Sequence, residues 1–309
     1  VCNEAVKLAV KKGFGTLRGF VNGVLRNVAR GLDQVEYPTE GIERLSVVYS
    51  MPEWILKLWK KTYDLDVIES MLQAFQEETP VTIRCNLAKT TPENLKESLQ
   101  KEGVTVTPHP YLSYAFWIQD YDHLSELESF QKGEFYVQDI SSMLVGELAD
   151  PKKGDRVIDV CAAPGGKALH VAEKLRGTGS VEARDLSLYK VGLITENIER
   201  SGLTNIHAVQ KDATVCDADV KDAADLVIAD LPCSGLGVLA KKTDLKYKAT
   251  EQGTKELAGL QREILKNAAS YVRPGGTLIY STCTINPAEN IENVHWFLKE
   301  FPEFVLDPI

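Results

Sequence analysis

The sequence predicts an α/β protein whose larger part is a mostly parallel sheet with helices on both faces. A small α+β unit and a helical N-terminal stretch precede it. Three observations carry this expectation. From about residue 141 strand-like and helix-like segments alternate without interruption. The strands there (156–161, 180–185, 206–212, 226–230 and 277–283) are near-continuous apolar runs, which suit strands covered on both sides. Between about 80 and 138 the texture differs, with short β-branched and aromatic runs around a single helix.

In chain order, residues 1–30 read as helical, with Leu17, Phe20, Val21, Val24, Leu25 and Val28 at helix-like spacing. A loop over 31–40 follows, then helices near 39–48, 52–62 and 64–76, the second opening on Pro52 as a first-turn proline. Strands are expected at 81–86, 104–107, 115–119 and 134–138, with a helix at 92–102 that Thr91 caps ahead of Pro92. Helices at 167–175, 188–201, 255–272 and 288–300 separate or follow the later strands. Crossovers between such parallel strands are right-handed, and ligands sit at the strands' carboxyl ends near the switch in strand order.

A chain of 309 residues can bury a full core without staples. It has no run of about 18 apolar residues to span a membrane and no charged-then-apolar leader, so neither a membrane partner nor a signal peptide is expected. Six scattered cysteines without a C-x-x-C pair argue against a zinc ribbon or a disulfide scaffold, so no metal is expected and a reducing cytoplasm is the simpler setting. A net charge of −9 taken alone disfavours nucleic acid, yet the distribution is uneven. Residues 1–30 carry Lys7, Lys11, Lys12, Arg18, Arg26 and Arg30 against Glu4 alone, and "KKTDLKYK" (241–248) holds four lysines. Either cluster could be a solvated helix face; their placement favours phosphate contacts.

The first strand of the parallel part runs into "DVCAAPGGK" (159–167), where Gly165 and Gly166 let backbone approach a ligand ahead of a helix N-terminus. It is neither G-x-G-x-x-G nor a Walker loop, which disfavours a dinucleotide dehydrogenase and an NTPase. Strand ends carry Asp159, Asp185 and Asp212 in turn. Asp185 is placed to accept ribose hydroxyls and Asp212 an adenine amino group; each alone could be a helix cap, but together they favour a nucleoside. Two cysteines then fall at the ends of the last two strands, Cys233 in "IADLPCSGLG" and Cys283 in "IYSTCTINPAEN", with Asp230 beside the first. Adjacent parallel strands lie about 4.8 Å apart, so these groups can line one pocket. Cys2, Cys85, Cys161 and Cys216 are assigned to packing. None of the five histidines is placed as a general base for a cysteine hydrolase.

These motifs, with "EFYVQDISS" (134–142) and "LIYSTCTINPAENI" (278–291), resemble the RNA 5-methylcytosine methyltransferases that use S-adenosylmethionine. "RGFVNGVLRNVAR" (18–30) is similar to the end of the NusB-type RNA-binding domain of the RsmB (Sun/Fmu) branch, and "TPVTIRCN" (79–86) to the strand opening that branch's intermediate domain. The resemblance covers essentially the whole chain. It implies a NusB-like remnant over 1–38, an intermediate RRM-like α+β domain over 39–140, and a class I methyltransferase Rossmann-like domain over 141–309 without its closing strand pair. It further implies that Cys283 attacks cytosine C6, Cys233 assists release of the adduct and Asp230 contacts the cytosine. Cys161, Ala162, Ala163, Pro164, Gly165, Gly166, Lys167, Asp185, Asp212 and Asp230 would hold S-adenosylmethionine. The chain departs from the family at Thr243, where a proline is usual, and at Ala168, where a threonine is usual.

The function expected is therefore methyl transfer to cytosine C5 in small-subunit ribosomal RNA, by a monomer acting in the cytoplasm. The same chemistry on tRNA or another RNA stays open, as does a catalytically silent RNA-binding or antitermination module. An amino-methyltransferase is disfavoured, because "DLPCSG" has one proline and no aromatic to grip an exocyclic amine.

Overall fold

The computed structural model describes residues 1–307. The chain divides into two compact units, Val1–Leu72 and Gln73–Ile309. The first is all helix: α1 (Cys2–Lys11), α2 (Arg18–Gly31), α3 (Gly41–Val48), α4 (Glu53–Trp59) and α5 (Leu65–Ala74), the last running across the division. α1 and α2 bury no residue, and their basic side chains are exposed. In α3 to α5 the apolar positions Leu45, Ile55, Leu56, Trp59, Ile68 and Leu72 are buried. Arg44 and Tyr49 both bond Glu69, linking α3 and the residue after it to α5.

The second unit starts with a four-stranded antiparallel sheet of β1 (Val81–Cys85), β2 (Thr105–Pro108), β3 (Ala115–Gln119) and β4 (Phe135–Val137), in the order β2-β3-β1-β4. This is the split β-α-β arrangement. α6 (Pro92–Lys101) begins where Thr91 accepts a bond from the Asn94 N–H, and it buries Leu95 and Leu99 against β1 and β3. The short α7 (Glu128–Gln131) leads into β4.

α8 (Ile140–Ala149), absent from the sequence-based reading, follows at once. Its ISSMLVGELA run buries Met143 and Val145 yet exposes Leu144 and Leu148, so apolar residues ring the helix and leave no 3.6-residue stripe to detect. The parallel part then unfolds as expected: β5 (Arg156–Asp159), α9 (Gly166–Lys174), β6 (Ser180–Asp185), α10 (Leu188–Ser201), β7 (Ile206–Gln210), β8 (Ala224–Asp230), the short α11 (Leu245–Lys248), α12 (Glu251–Tyr271), β9 (Val272–Ser281) and α13 (Ile291–Glu300). β9 starts five residues earlier than expected because its register against β8 shifts between Ala224 and Leu226, absorbing the Pro274-Gly275-Gly276 segment.

The five strands are parallel, in the order β7-β6-β5-β8-β9. Strand order therefore reverses at β5, which has β6 on one side and β8 on the other. Alternation along the strands explains the unbroken apolar runs. Val157, Val181, Leu226 and Ile228 pack on one face with Leu169 of α9 and Ile194 of α10. Ile158, Val227 and Ala229 pack on the other with Ile264 and Leu265 of α12 and Phe297 of α13. A fully buried leucine such as Leu169 contributes about 1.5–3 kcal/mol. No helix among the described residues is long and apolar enough to cross a membrane.

The two sheets are tied by a buried ion pair. Arg84 of β1 has no exposed surface; it donates to Gln138 at 2.7 Å and to Glu173 of α9 at 3.0 Å, with its guanidinium 4.3 Å from the Tyr136 ring centre. Because Arg84 cannot shed its charge, Glu173→Ala should destabilise the unit by about 3–5 kcal/mol in urea titration. The charge-free pair Arg84→Met with Glu173→Leu should recover most of that loss. A single-variant loss below about 1 kcal/mol would show the pair to be dispensable.

Candidate functional site

The site lies at the carboxyl ends of the parallel strands, around the reversal at β5. Residues 160–165 form the turn from β5 into α9. The Ala162 N–H bonds the Arg184 carbonyl at 2.8 Å and the Gly165 N–H bonds Ala162 at 2.7 Å. Gly165 sits at φ +108°, a left-handed value that side-chain-bearing residues rarely adopt, so glycine is what lets the chain enter the helix here. The turn is also pinned from α10, where Asn197 donates to the Pro164 carbonyl at 3.0 Å.

Asp185 closes β6 and is buried. Its Oδ2 accepts the Ala163 N–H at 3.2 Å; its Oδ1 accepts the Leu186 N–H at 2.8 Å and pairs with Lys190 at 3.1 Å. A carboxylate offers about four acceptor positions, so one stays open and a second opens if the half-exposed Lys190 swings aside. Two ribose hydroxyls can therefore be held only when Lys190 yields. Asp212 lies two residues past β7 and is exposed; Thr214 occupies its Oδ1 through its backbone N–H at 2.9 Å and its hydroxyl at 2.6 Å, which holds the carboxyl below its ordinary range.

Asp159 behaves differently from the other strand-end acids. It is 1% exposed, lies below the turn, and its Oδ2 has no hydrogen-bond partner. Burial, and then the nearby Asp230 charge, pushes its carboxyl up to about 7. Cys161, beside it, is raised to about 12 by burial, so it is a packed thiol rather than a nucleophile. Cys85 is likewise buried and raised, whereas Cys216, expected to be packed, is exposed. Asp185 and Asp230 bring carboxylates to the floor of the site, each paired with a lysine, and Asp159 adds a carboxyl held between its two protonation states; these acceptors suit a ligand carrying an ammonium. The orphaned Oδ2 of Asp159, the open acceptor on Asp185 and the N–H groups at the start of α9 fit the polar ends of S-adenosylmethionine.

Beside this turn, β8 and β9 end in register, Asp230 opposite Ser281. Lys167 donates to Asp230 Oδ2 at 2.7 Å and Ser281 donates to Oδ1 at 2.7 Å, so the carboxylate is fixed from two sides. Sequence reasoning placed Lys167 in the cofactor turn without its partner and missed Ser281 altogether. The two serine-to-acid positions are 51 residues apart, and only the strand pairing joins them.

Both cysteines stand on loops just past the strand ends. Cys233 Sγ and Cys283 Sγ are 3.3 Å apart, and the Cys283 N–H also points at Cys233 Sγ at 3.3 Å. The approach depends on Gly237, whose N–H bonds the Cys283 carbonyl at 3.0 Å; a Cβ there would lie 2.9 Å from that oxygen. The pair loses one proton easily and the second with difficulty, since the remaining thiol donates to the first thiolate. Cys283 is lowered to about 7 by the Cys233 hydrogen bond, with burial and Asp230 opposing and Lys242 and Lys167 assisting. Cys233 is raised by the same contact and by burial. The histidines stay apart from these sulfurs in their contacts: His170 is buried against Tyr114, and His109 packs on Trp117.

Comparison with known proteins adds to this geometry. A family model described as 16S rRNA methyltransferase RsmB/F matches residues 147–309. A ferredoxin-like domain model of RsmF/B-like methyltransferases matches 51–121, and a NusB family model matches 1–30. The chain is 38% identical over 307 residues to the probable ribosomal RNA small subunit methyltransferase B of Bacillus subtilis (strain 168), covering 99% of this chain and 68% of that protein. Its fold is similar to the crystal structure of PH0851, with a TM-score of 0.89 and 28% identity over 99% of this chain and 68% of the other. It is also similar to NSun6 from Pyrococcus horikoshii, solved with SFG, an analogue of S-adenosylmethionine; there the TM-score is 0.73 at 26% identity, over 79% of this chain and 86% of that one.

Because the thiolate is the form that reacts, alkylation of Cys283 by iodoacetamide should rise with pH through a midpoint near 7. In Cys233→Ala the donor is gone, and the midpoint should move towards the ordinary thiol value of about 8.5. Peptide mass mapping across pH 5–10 reads this directly, and an unchanged midpoint would show that Cys233 is not the cause.

Proposed function

The chain belongs to the 16S rRNA methyltransferase RsmB/F family, and from that premise we propose that it methylates C5 of a cytosine in small-subunit ribosomal RNA, using S-adenosylmethionine and a covalent Cys283–C6 adduct. The observation that carries this reading is the pair of thiols 3.3 Å apart beside Asp230, at the ends of adjacent strands. A proton-transfer enzyme or a simple RNA binder has no use for two sulfurs in that relation.

S-adenosylmethionine supplies an electrophilic methyl group on a sulfonium. The protein has to make cytosine C5 nucleophilic, which the free base is not. The Cys283 thiolate adds to C6, forming the C6–S bond and moving electron density onto C5. Asp230, fixed by Lys167 and Ser281, accepts a hydrogen bond from the cytosine N4 amino group at the N3/N4 edge, and the Lys167 ammonium beside it offsets the negative charge that develops there. C5 takes the methyl group as the methyl–sulfur bond breaks, its electron pair staying on the sulfur, which leaves as the neutral thioether S-adenosylhomocysteine. Loss of the C5 proton then expels Cys283 and restores the aromatic ring.

Cys233 is suited to that last proton transfer by a change in its own surroundings. Before addition, the neighbouring Cys283 thiolate holds the Cys233 thiol protonated. Once Cys283 is a neutral thioether, that repulsion is gone, while hydrogen bonds from the Cys283 and Gly235 backbone still favour a thiolate at 233. The two thiols therefore become acidic in the order in which the reaction needs them. The target base has to leave its stack to reach them. The exposed Lys242 and Lys248, on and beside α11, supply phosphate contacts, as do the basic side chains of the N-terminal helices.

The deciding experiment mixes Cys233→Ala protein with unmodified small-subunit rRNA and S-adenosylmethionine and looks for a protein–RNA band on a denaturing gel. A band is expected, and it should vanish in Cys233→Ala/Cys283→Ala. A band from Cys283→Ala alone would exchange the two roles. No band with rRNA, but one with tRNA, would keep the chemistry and change the substrate. For the cofactor, Asp185→Ala should weaken S-adenosylhomocysteine binding by calorimetry at least about tenfold, as expected for loss of a hydrogen bond to a charged group; unchanged affinity would remove Asp185 from the site.

A further inference from the structure

Behind the two thiols lies a carboxylate that the reaction above does not use. Glu289, in the turn before α13, has no exposed surface, and the groups bonded to it include no lysine or arginine. Its Oε2 accepts the Ser234 N–H at 2.7 Å and Gln261 Nε2 at 3.5 Å. Its Oε1 accepts the Ser234 hydroxyl at 2.6 Å and Asn286 Nδ2 at 2.9 Å. Four neutral donors thus fill the acceptor capacity of one buried carboxylate.

Each hydroxyl has one proton to donate, and this fixes what those bonds join. The Ser234 hydroxyl spends its proton on Glu289, so at the 2.9 Å contact with Thr284 it must accept, and the Thr284 hydroxyl donates. Thr284 Oγ1 in turn accepts the Asn286 N–H at 3.2 Å. Ser234 directly follows Cys233, and Thr284 directly follows Cys283. On the near side of Cys233, Gln261 of α12 holds the Pro232 carbonyl at 2.8 Å. The Pro232-Cys233-Ser234 segment is therefore gripped on both flanks, and the Cys283 loop is keyed to it through one hydroxyl. A group needed only to end a strand or cap α13 would not reach across to the β8 loop.

We propose that Glu289 is the positioning residue that sets the spacing of the two thiols, holding the Cys233 and Cys283 loops in mutual register through Ser234 and Thr284. The catalytic consequence rests on the methyltransferase reading above; the spacing itself does not. Substituting glutamine preserves shape but turns one acceptor oxygen into an NH2 facing two donors, whichever way the amide is placed, so the grip fails without a cavity.

The test uses the full chain and reads spacing by thiol chemistry. Diamide takes two electrons and two protons from Cys233 and Cys283 and leaves a disulfide, whose rate of closure measures how well the sulfurs are aligned. In Glu289→Gln closure should slow by at least about tenfold and methyl-transfer kcat should fall by roughly 10²-fold, with KM for S-adenosylmethionine within about twofold, since small misalignments of reacting groups cost this much. Glu289→Asp, which keeps the charge on a shorter stem, should recover part of both. A folded Glu289→Gln protein that closes its disulfide at the wild-type rate overturns the proposal. If that variant does not fold, Ser234→Ala decides, because it removes only the hydroxyl between Glu289 and Thr284: slowing of about threefold supports the assignment and no slowing overturns it. Absence of methyl transfer in the wild-type protein would sink the proposed reaction and leave the closure measurement standing.

Discussion

The parallel pairing of β8 with β9 is the constraint on which the site depends. Its last rungs set Ala229 against Tyr280 and Asp230 against Ser281, and the Leu231 N–H carries the ladder one step further to the Ser281 carbonyl. A slip of one residue would turn Asp230 to the opposite face and part it from Ser281. The register is secured by burial, since Val227 and Ala229 pack on one face and Leu226 and Ile228 on the other. Everything chemical follows from where the two chains leave the sheet: three residues past Asp230 stands one thiol, two residues past Ser281 the other.

Electrostatics at this edge pull two ways, and Lys167 reconciles them. Carboxyl groups at the strand ends favour a cationic ligand, yet Asp230 opposes formation of a thiolate on Cys283. By donating to Asp230 at 2.7 Å, Lys167 fixes that carboxylate and at the same time lowers the cost of the sulfur's charge. The lysine sits on the first turn of α9, so the glycine turn and the thiol pair share one side chain. The Cys283 thiolate also draws on Lys242, in the exposed segment after the Cys233 loop.

Rigidity comes from polar groups sealed away from water. Arg84 and Glu173 lock the antiparallel sheet onto α9, the helix that begins in the glycine turn. Glu289, Gln261 and Asn293 form a second sealed network behind the thiols, in which Gln261 Oε1 accepts from both Asn293 Nδ2 at 2.8 Å and the Tyr280 hydroxyl at 3.1 Å. Such buried groups are costly to leave unpaired, so each fixes a single arrangement of the loops around it.

Much of this was legible without coordinates because it is local. Unbroken apolar runs gave the five parallel strands, Thr91 before Pro92 gave the start of α6, and the two cysteine motifs marked the ends of β8 and β9. α8 was not legible, since a helix with apolar residues on all sides has no period to read, nor was the early start of β9 behind a proline and two glycines. The sequence by itself determined which chemical groups the protein owns and at which strand ends they fall, since strand and turn preferences act over a few residues. Only the tertiary structure decided which of them meet: Lys167 with Asp230 and Ser281, Cys233 with Cys283, and Glu289 with Ser234. Those partners lie 50 or more residues apart, and a hydrogen bond across that distance is fixed by sheet order and packing, which no short stretch of sequence contains.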